Sequence, residues 1–167
     1  HCIVLVYFVQ MMVKFTHYLV TRFNVPVKNW EKDKSGQTTL DDQWMKHRIS
    51  LFKKYCVPTI AGQDEKNFHW IIYCDIHTNS SGLQSIKEAV DKIPEVMIRT
   101  AADHAEMLND LKQILSNAST PYAITSRLDN DDGLGSGYTK SIQVHFRPVD
   151  KLLLNAEGGI QYDIGEK

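Results

Sequence analysis

The order of apolar and polar stretches predicts an α/β layered fold, a mostly parallel sheet with helices on both faces. Three observations carry that reading. Short β-branched and aromatic runs near residues 15–21, 68–74, 95–99 and 122–127 alternate with segments whose apolar residues recur at helical spacing. No repeat or low-complexity stretch breaks the alternation. The 167 residues, 43% hydrophobic and 23% charged, suit a single domain with one sizeable core.

Residues 1–11 form an apolar leader that is too short for the roughly 18–20 residues of a membrane-spanning helix, so no transmembrane segment is expected. Met11 and Met12 stand just before the first strand pattern. The leader is read either as a translated upstream stretch or as a native apolar edge strand, and residues 12–167 as the folded part. Phe15 to Thr21 forms the first strand, and Pro26 ends it. Thr38 or Thr39 caps a helix with Asp41 and Asp42 in its first turn. Its apolar stripe is Trp44, Met45, Ile49 and Phe52, with Leu51 and Tyr55, and Pro58 closes it. Phe68 to Cys74 is the second strand, ended by Asp75.

Ser85 to Ile93 reads as a short helix and Glu95 to Arg99 as the third strand. Asp103 to Leu115 is a helix with Ala105, Leu108, Leu111 and Leu115 on its buried face. Pro121 starts a fourth strand, Tyr122 to Arg127, which runs into Leu128-Asp129-Asn130-Asp131-Asp132-Gly133. Tyr138 to Phe146 is helical, and Lys151–Asn155 and Ile160–Ile164 flank Glu157-Gly158-Gly159 as a hairpin.

Nineteen basic and twenty acidic residues give a net charge of −1, which argues against a nucleic-acid partner bound through a basic surface. Cys2, Cys56 and Cys74 are too few and too irregular for a disulfide framework or a paired-ligand zinc site, and they suit a reducing, cytoplasmic setting.

In an open α/β sheet the ligand crevice lies at the carboxyl ends of the strands. That rule gathers Arg22 and Asn24, Asp75, and the acidic cluster Asp129, Asp131 and Asp132. Three carboxylates in four residues repel one another, which points to a divalent cation offsetting their charge or to a solvated, capped turn. An EF-hand starting at Asp129 needs glycine at 134 and glutamate at 140, where the chain has Leu134 and Lys140. A dinucleotide fingerprint from Gly133 and Gly135 needs a third glycine where Tyr138 stands. His17 and His69, within strands, and Trp44 and Trp70 read as packing residues. Trp30 reads as core or as a stacking residue in a polar loop, and Lys53-Lys54 as a solvated helix face.

The runs Thr21-Arg22-Phe23-Asn24, Trp44 to Arg48 with Leu51-Phe52 and Tyr55-Cys56, Phe68-His69-Trp70 with Asp75, and Ile124 to Asp132 resemble a rhamnosyltransferase family, across roughly residues 15–147. That family is similar to GT-A-type glycosyltransferases, which use a Rossmann-like sheet and an Asp-X-Asp motif. The resemblance implies transfer of a sugar, rhamnose by the family's label, from a nucleotide-diphosphate donor to a glycan or other hydroxyl acceptor, with Mn²⁺ or Mg²⁺. By the same resemblance Asp131 ligates the metal, Asp129 contacts the ribose or a metal-bound water, and Asp132 stands behind them at the metal. Asp75 matches the position that contacts the nucleoside, and Thr21 to Asn24 the wall around base and phosphates. Arg22 and Arg127 are expected to pair with phosphate or with neighbouring carboxylates, Arg22 being the stronger candidate for phosphate.

No catalytic residue is assigned from the sequence. Inverting enzymes of this type take their base from well downstream of Asp-X-Asp, where Glu157 and Asp163 are the nearest carboxylates of interest. The chain is therefore read as the donor-binding half of a GT-A-like domain truncated at Lys167. The alternative is a fragment that binds a nucleotide or glycan without turnover.

Overall fold

The computed structural model describes residues 14–28, 41–156 and 158–161. β1 (Phe15–Arg22), β2 (His69–Asp75), β3 (Val96–Ala101) and β4 (Tyr122–Arg127) form one all-parallel sheet in the order β3-β2-β1-β4. Register is set by pairs such as Val20 with Ile71 and Leu19 with Ser126. Chain order runs outward from β1 to β3 and then returns to the far side of β1, so the sheet's switch point lies between β1 and β4. As expected, the strands that lead into Arg22, Asp75 and Asp129 are neighbours.

Alternate residues of each strand face opposite layers. On one face Leu19, Trp70, Ile72 and Cys74 pack with Met45, Phe52, Cys56, Ile60 and Ile86. On the other, Tyr18, Val20, Ile71 and Tyr73 pack with Met107. Burying each large apolar side chain contributes about 1.5–3 kcal/mol. The indole of Trp70, fully buried, donates to Thr21 Oγ1 at 3.0 Å, so the polar atom of the largest core residue is satisfied inside the sheet layer.

The first face is covered by one long helical run together with the helix that carries Ile86 and Val90. α1 (Asp42–Leu51) passes through a five-residue π-turn (Phe52–Cys56) into α2 (Val57–Ala61). Met45, Ile49, Phe52, Cys56 and Ile60 take fifteen residues for four turns, about 3.75 per turn against the 3.6 of a regular helix. The wider π-turn keeps that stripe on one line. It also changes the role expected of Pro58, which does not close the helix. Widening the turn before it moves aside the carbonyls that a proline ring would strike, and the run continues to Gly62, whose N–H bonds Pro58 O at 2.9 Å. The cap is Asp41, which accepts from Trp44 N at 2.7 Å; Thr38 and Thr39 lie outside the described residues.

α3 (Ser80–Val90) begins earlier than the expected Ser85, because Asn79 caps it by accepting from Gly82 N at 2.7 Å. Gly82 sits where α3 meets α1; a Cβ there would lie 3.4 Å from Met45 Cε. α4 (His104–Ser116), capped by Asp103, buries Met107 and part-buries Leu111, Ile114 and Leu115. Leu108 and Ala105 face outward, a rotation of the expected stripe, since Met107 rather than Leu108 reaches the sheet. β3 runs two residues further than expected, to Ala101.

α5 (Tyr138–Val144) is tied to β1 and β4 through His17, whose ring nitrogens meet Ser126 Oγ at 3.0 Å and Gln143 Nε2 at 3.2 Å. Burial lowers the His17 pKa to about 4, which keeps the ring neutral at physiological pH. Residues 151–156 adopt no regular structure, so the first strand of the expected hairpin is not formed; Glu157 and residues 162–164 lie outside the described residues. So do the leader, Trp30 and Asp163. No helix among the described residues is long and apolar enough to cross a membrane.

Candidate functional site

The chain leaving β4 alternates sides. Leu128 and Asn130 point inward, 3% and 4% exposed, and this turns Asp129 and Asp131 outward at the switch point. Leu128 joins the core, its N–H bonding Val20 O, and Asn130 Nδ2 donates to Phe23 O at 2.7 Å. The buried amide thus pins the acidic loop to the segment after β1. Phe23 is held in turn, its N–H on Tyr73 O and its ring edge-on to Phe52 at 5.2 Å.

A second set of bonds fastens the far side of the loop. Gln63, buried just past α2, donates to Thr59 O and Gly135 O and accepts from Thr139 N. Thr59 Oγ1 accepts from Leu134 N, and Asp64 N donates to Ser136 O. Space at Gly133 is tight, since a Cβ there would lie 3.0 Å from Thr59 Cγ2. The acidic loop is therefore a built element anchored at both ends, not an open tether.

Its carboxylates meet arginines from three elements. Arg127 Nε and Nη2 grip both oxygens of Asp129 at 3.0–3.1 Å. Arg48, in the last turn of α1, pairs with Asp131. Arg22 is within electrostatic reach of Asp129 and Arg127, and its Nη1 donates to Val25 O at 3.2 Å. Asp132, whose N–H closes a turn on Asp129 O, has its pKa raised by burial first and then by Asp131 and Asp129, against the opposing pull of Arg48 and Arg127. Beneath the loop the Cys56 thiol is pushed up by burial and by Asp132 and Asp131.

Of the residues expected from sequence, Arg22, Arg127, Asp129, Asp131 and Asp132 come together here. Thr21 is fully buried and its hydroxyl is occupied by Trp70. Asn24, 8% exposed, accepts from Asp75 N at 3.0 Å and donates to Thr78 Oγ1 at 2.9 Å, joining the β1 and β2 loops. Both use side-chain polar atoms in hydrogen bonds within the protein. Asp75 is half-buried and accepts from His77 N at 2.8 Å. The three loop aspartates do not converge as a ligand set; among the described residues no three His, Cys, Asp or Glu side chains do. Asp129 and Asp131 offer carboxylate oxygens, the ligand type that hard divalent cations take.

Arg48, Thr59, Gln63 and Asn130 were not anticipated as site residues. None carried a local signal that singled it out; Arg48 is a basic residue in the last turn of α1.

The all-parallel sheet with helices on both faces makes this a Rossmann-like α/β protein. Residues 12–164 match the model of the family described as "Putative rhamnosyl transferase", and the chain belongs to that family. No curated protein matches it.

Proposed function

We propose that this chain binds the nucleotide-diphosphate sugar of a metal-dependent glycosyl transfer, with rhamnose as the sugar and a glycan or other hydroxyl as acceptor. The family supports glycosyl transfer in general. The observation that carries the finer reading is the alternation after β4, which turns Asp129 and Asp131 outward at the switch point beside Arg22, Arg48 and Arg127. A bound Mn²⁺ or Mg²⁺ supplies charge stabilisation for the departing diphosphate.

The protein's own residues do the rest of donor handling. Asp131 and Asp129 offer the carboxylate oxygens, the arginines offer forked donors that match phosphate, and Asp75 lies at the end of the neighbouring strand on the nucleoside side. Thr21 and Asn24 hold that wall rigid through Trp70 and Thr78. Donor binding and activation, rather than acceptor deprotonation, is the part of the reaction assigned to these residues. Cys56 and Cys74, both free, support a reducing cytoplasmic setting.

Calorimetry with uridine, guanosine and thymidine diphosphates, each with Mn²⁺ and with chelator, tests the reading. At least one should bind with Mn²⁺ and at least about tenfold more weakly without it. Equal affinities in the two conditions, or no binding to any of the three, would overturn it.

A further inference from the structure

We propose that Arg48 is a diphosphate-binding residue parked on Asp131, and that it passes from carboxylate to phosphate when cation and donor enter together. This deepens the donor-site reading above and rests on it.

The pair joins elements 83 positions apart, the end of α1 and the loop after β4. Its two side chains keep 28% and 37% of their surface, so an incoming ligand reaches both. The guanidinium also lies 5.3 Å from the Trp44 ring, one helical turn back. That contact belongs to α1 alone. It holds the guanidinium at the loop's edge whether or not Asp131 remains its partner, which a counter-ion meant only for Asp131 would not need. Arginine is also the residue type whose planar fork matches phosphate.

Charge balance argues for a concerted exchange. Arg22, Arg48 and Arg127 face Asp129, Asp131 and Asp132, three charges against three. A divalent cation adds two positive charges, and the donor's diphosphate about two negative ones, one per phosphate. The site stays balanced only when both arrive. The cation alone faces arginines that already hold its ligands, and the diphosphate alone would draw arginines from the carboxylates and leave those uncompensated.

The test measures two affinities on the full chain. Mn²⁺ alone is titrated by the electron paramagnetic resonance of the free ion. The nucleoside diphosphate that wild type binds best is titrated at saturating Mn²⁺. Arg48→Gln should bind Mn²⁺ alone about fivefold more tightly, because Asp131 is released, and the diphosphate about tenfold more weakly, because a charge-assisted bond is lost. Arg48→Lys, which keeps the charge without the fork, should fall between wild type and Arg48→Gln in both titrations and guards against a folding defect. In an Asp131→Asn background, Arg48→Gln should no longer change Mn²⁺ affinity.

Loss of both affinities, no change in either, or tighter Mn²⁺ with unchanged diphosphate affinity overturns the exchange while leaving the donor site standing. Failure of wild type to bind any of the three nucleoside diphosphates removes the donor site itself, and the exchange with it.

Discussion

Arginine–aspartate pairs of like chemistry stand at two places, on the α4 face of the sheet and at the switch point. On the α4 side Arg99 grips both oxygens of Asp110, and Tyr73 donates to the same carboxylate at 2.9 Å. The Arg99 hydrogen bond holds the Asp110 carboxyl below its ordinary range, and Tyr73 adds to the effect against burial. A cleft of about 500 Å³ opens beside it, lined by Tyr18, His69, Glu95 and Asn117 among others. At the switch point, by contrast, the pairs Arg48–Asp131 and Arg127–Asp129 leave Asp132 raised by burial and by its two acidic neighbours.

The difference separates a closed account from an open one. Asp110 is bonded by both Arg99 and Tyr73, which suits a structural pair even beside a cleft. The loop aspartates oppose one another, and a cation would relieve them. The proposed donor site rests on that opposition of like charge and not on cavity size.

Asp131→Asn is the strongest way to break the contrast. Metal-dependent nucleoside diphosphate affinity should fall by about a hundredfold, while the melting temperature stays within about 2 °C, since exposed pairs add little to stability. Calorimetry and thermal melts check both halves, and a large fall in melting temperature would make the loop structural.

The reciprocal change is Asp110→Ala, which leaves Arg99 and the Tyr73 hydroxyl without their acceptor. Urea denaturation at pH 7 should show a loss of about 1–3 kcal/mol, with nucleotide affinity unchanged. The Asp110 carboxyl is lowered in the folded state, so its contribution is present above the ordinary carboxylate range and is lost as pH falls through the folded value. Wild type and variant should therefore converge in strong acid.

Asp132→Asn sharpens the comparison with the smallest effect and the opposite sign. Its carboxyl is raised on folding, so the favourable protonated form is fully present below the unfolded pKa and is lost as pH rises through the folded one. Removing the charge should stabilise the protein by a few tenths of a kcal/mol at pH 7 and by nothing at pH 3. Destabilisation at pH 7 would show that Asp132 is satisfied after all.

Much of the fold is legible because strands of a parallel sheet are continuous apolar runs. β4 matches its expected limits, and β1 and β2 differ from theirs by about a residue. α3 begins where Asn79 caps it, although Ser80, Ser81 and Gly82 are poor helix formers. Pro58 misled for a related reason: a proline normally breaks a helix, and only the π-turn before it allows passage. The acidic loop was legible from strand-end placement and its local sequence. Arg48 and Gln63 were not, because their partners lie 83 and 72–76 positions away and no local pattern encodes such contacts. Thr21 and Asn24, expected to line the crevice, use polar atoms in hydrogen bonds within the protein.

Cys56 and Cys74, the buried thiols among the described residues, make this protein its own stopwatch. Cys74 lies within β2 at the centre of the sheet, and burial, with Asp75, pushes its pKa up to about 12. Cys56 belongs to the π-turn and feels the acidic loop. Neither forms thiolate in the native state at neutral pH, so alkylation of each waits for the surrounding structure to open. Peptide-resolved iodoacetamide labelling then times two events in one tube. Cys74 reports rupture of the central strand, and Cys56 reports parting of the helical run from the loop above it. A ligand seated on Asp129 and Asp131 should slow the Cys56 clock more than that of Cys74, mapping occupancy without any turnover.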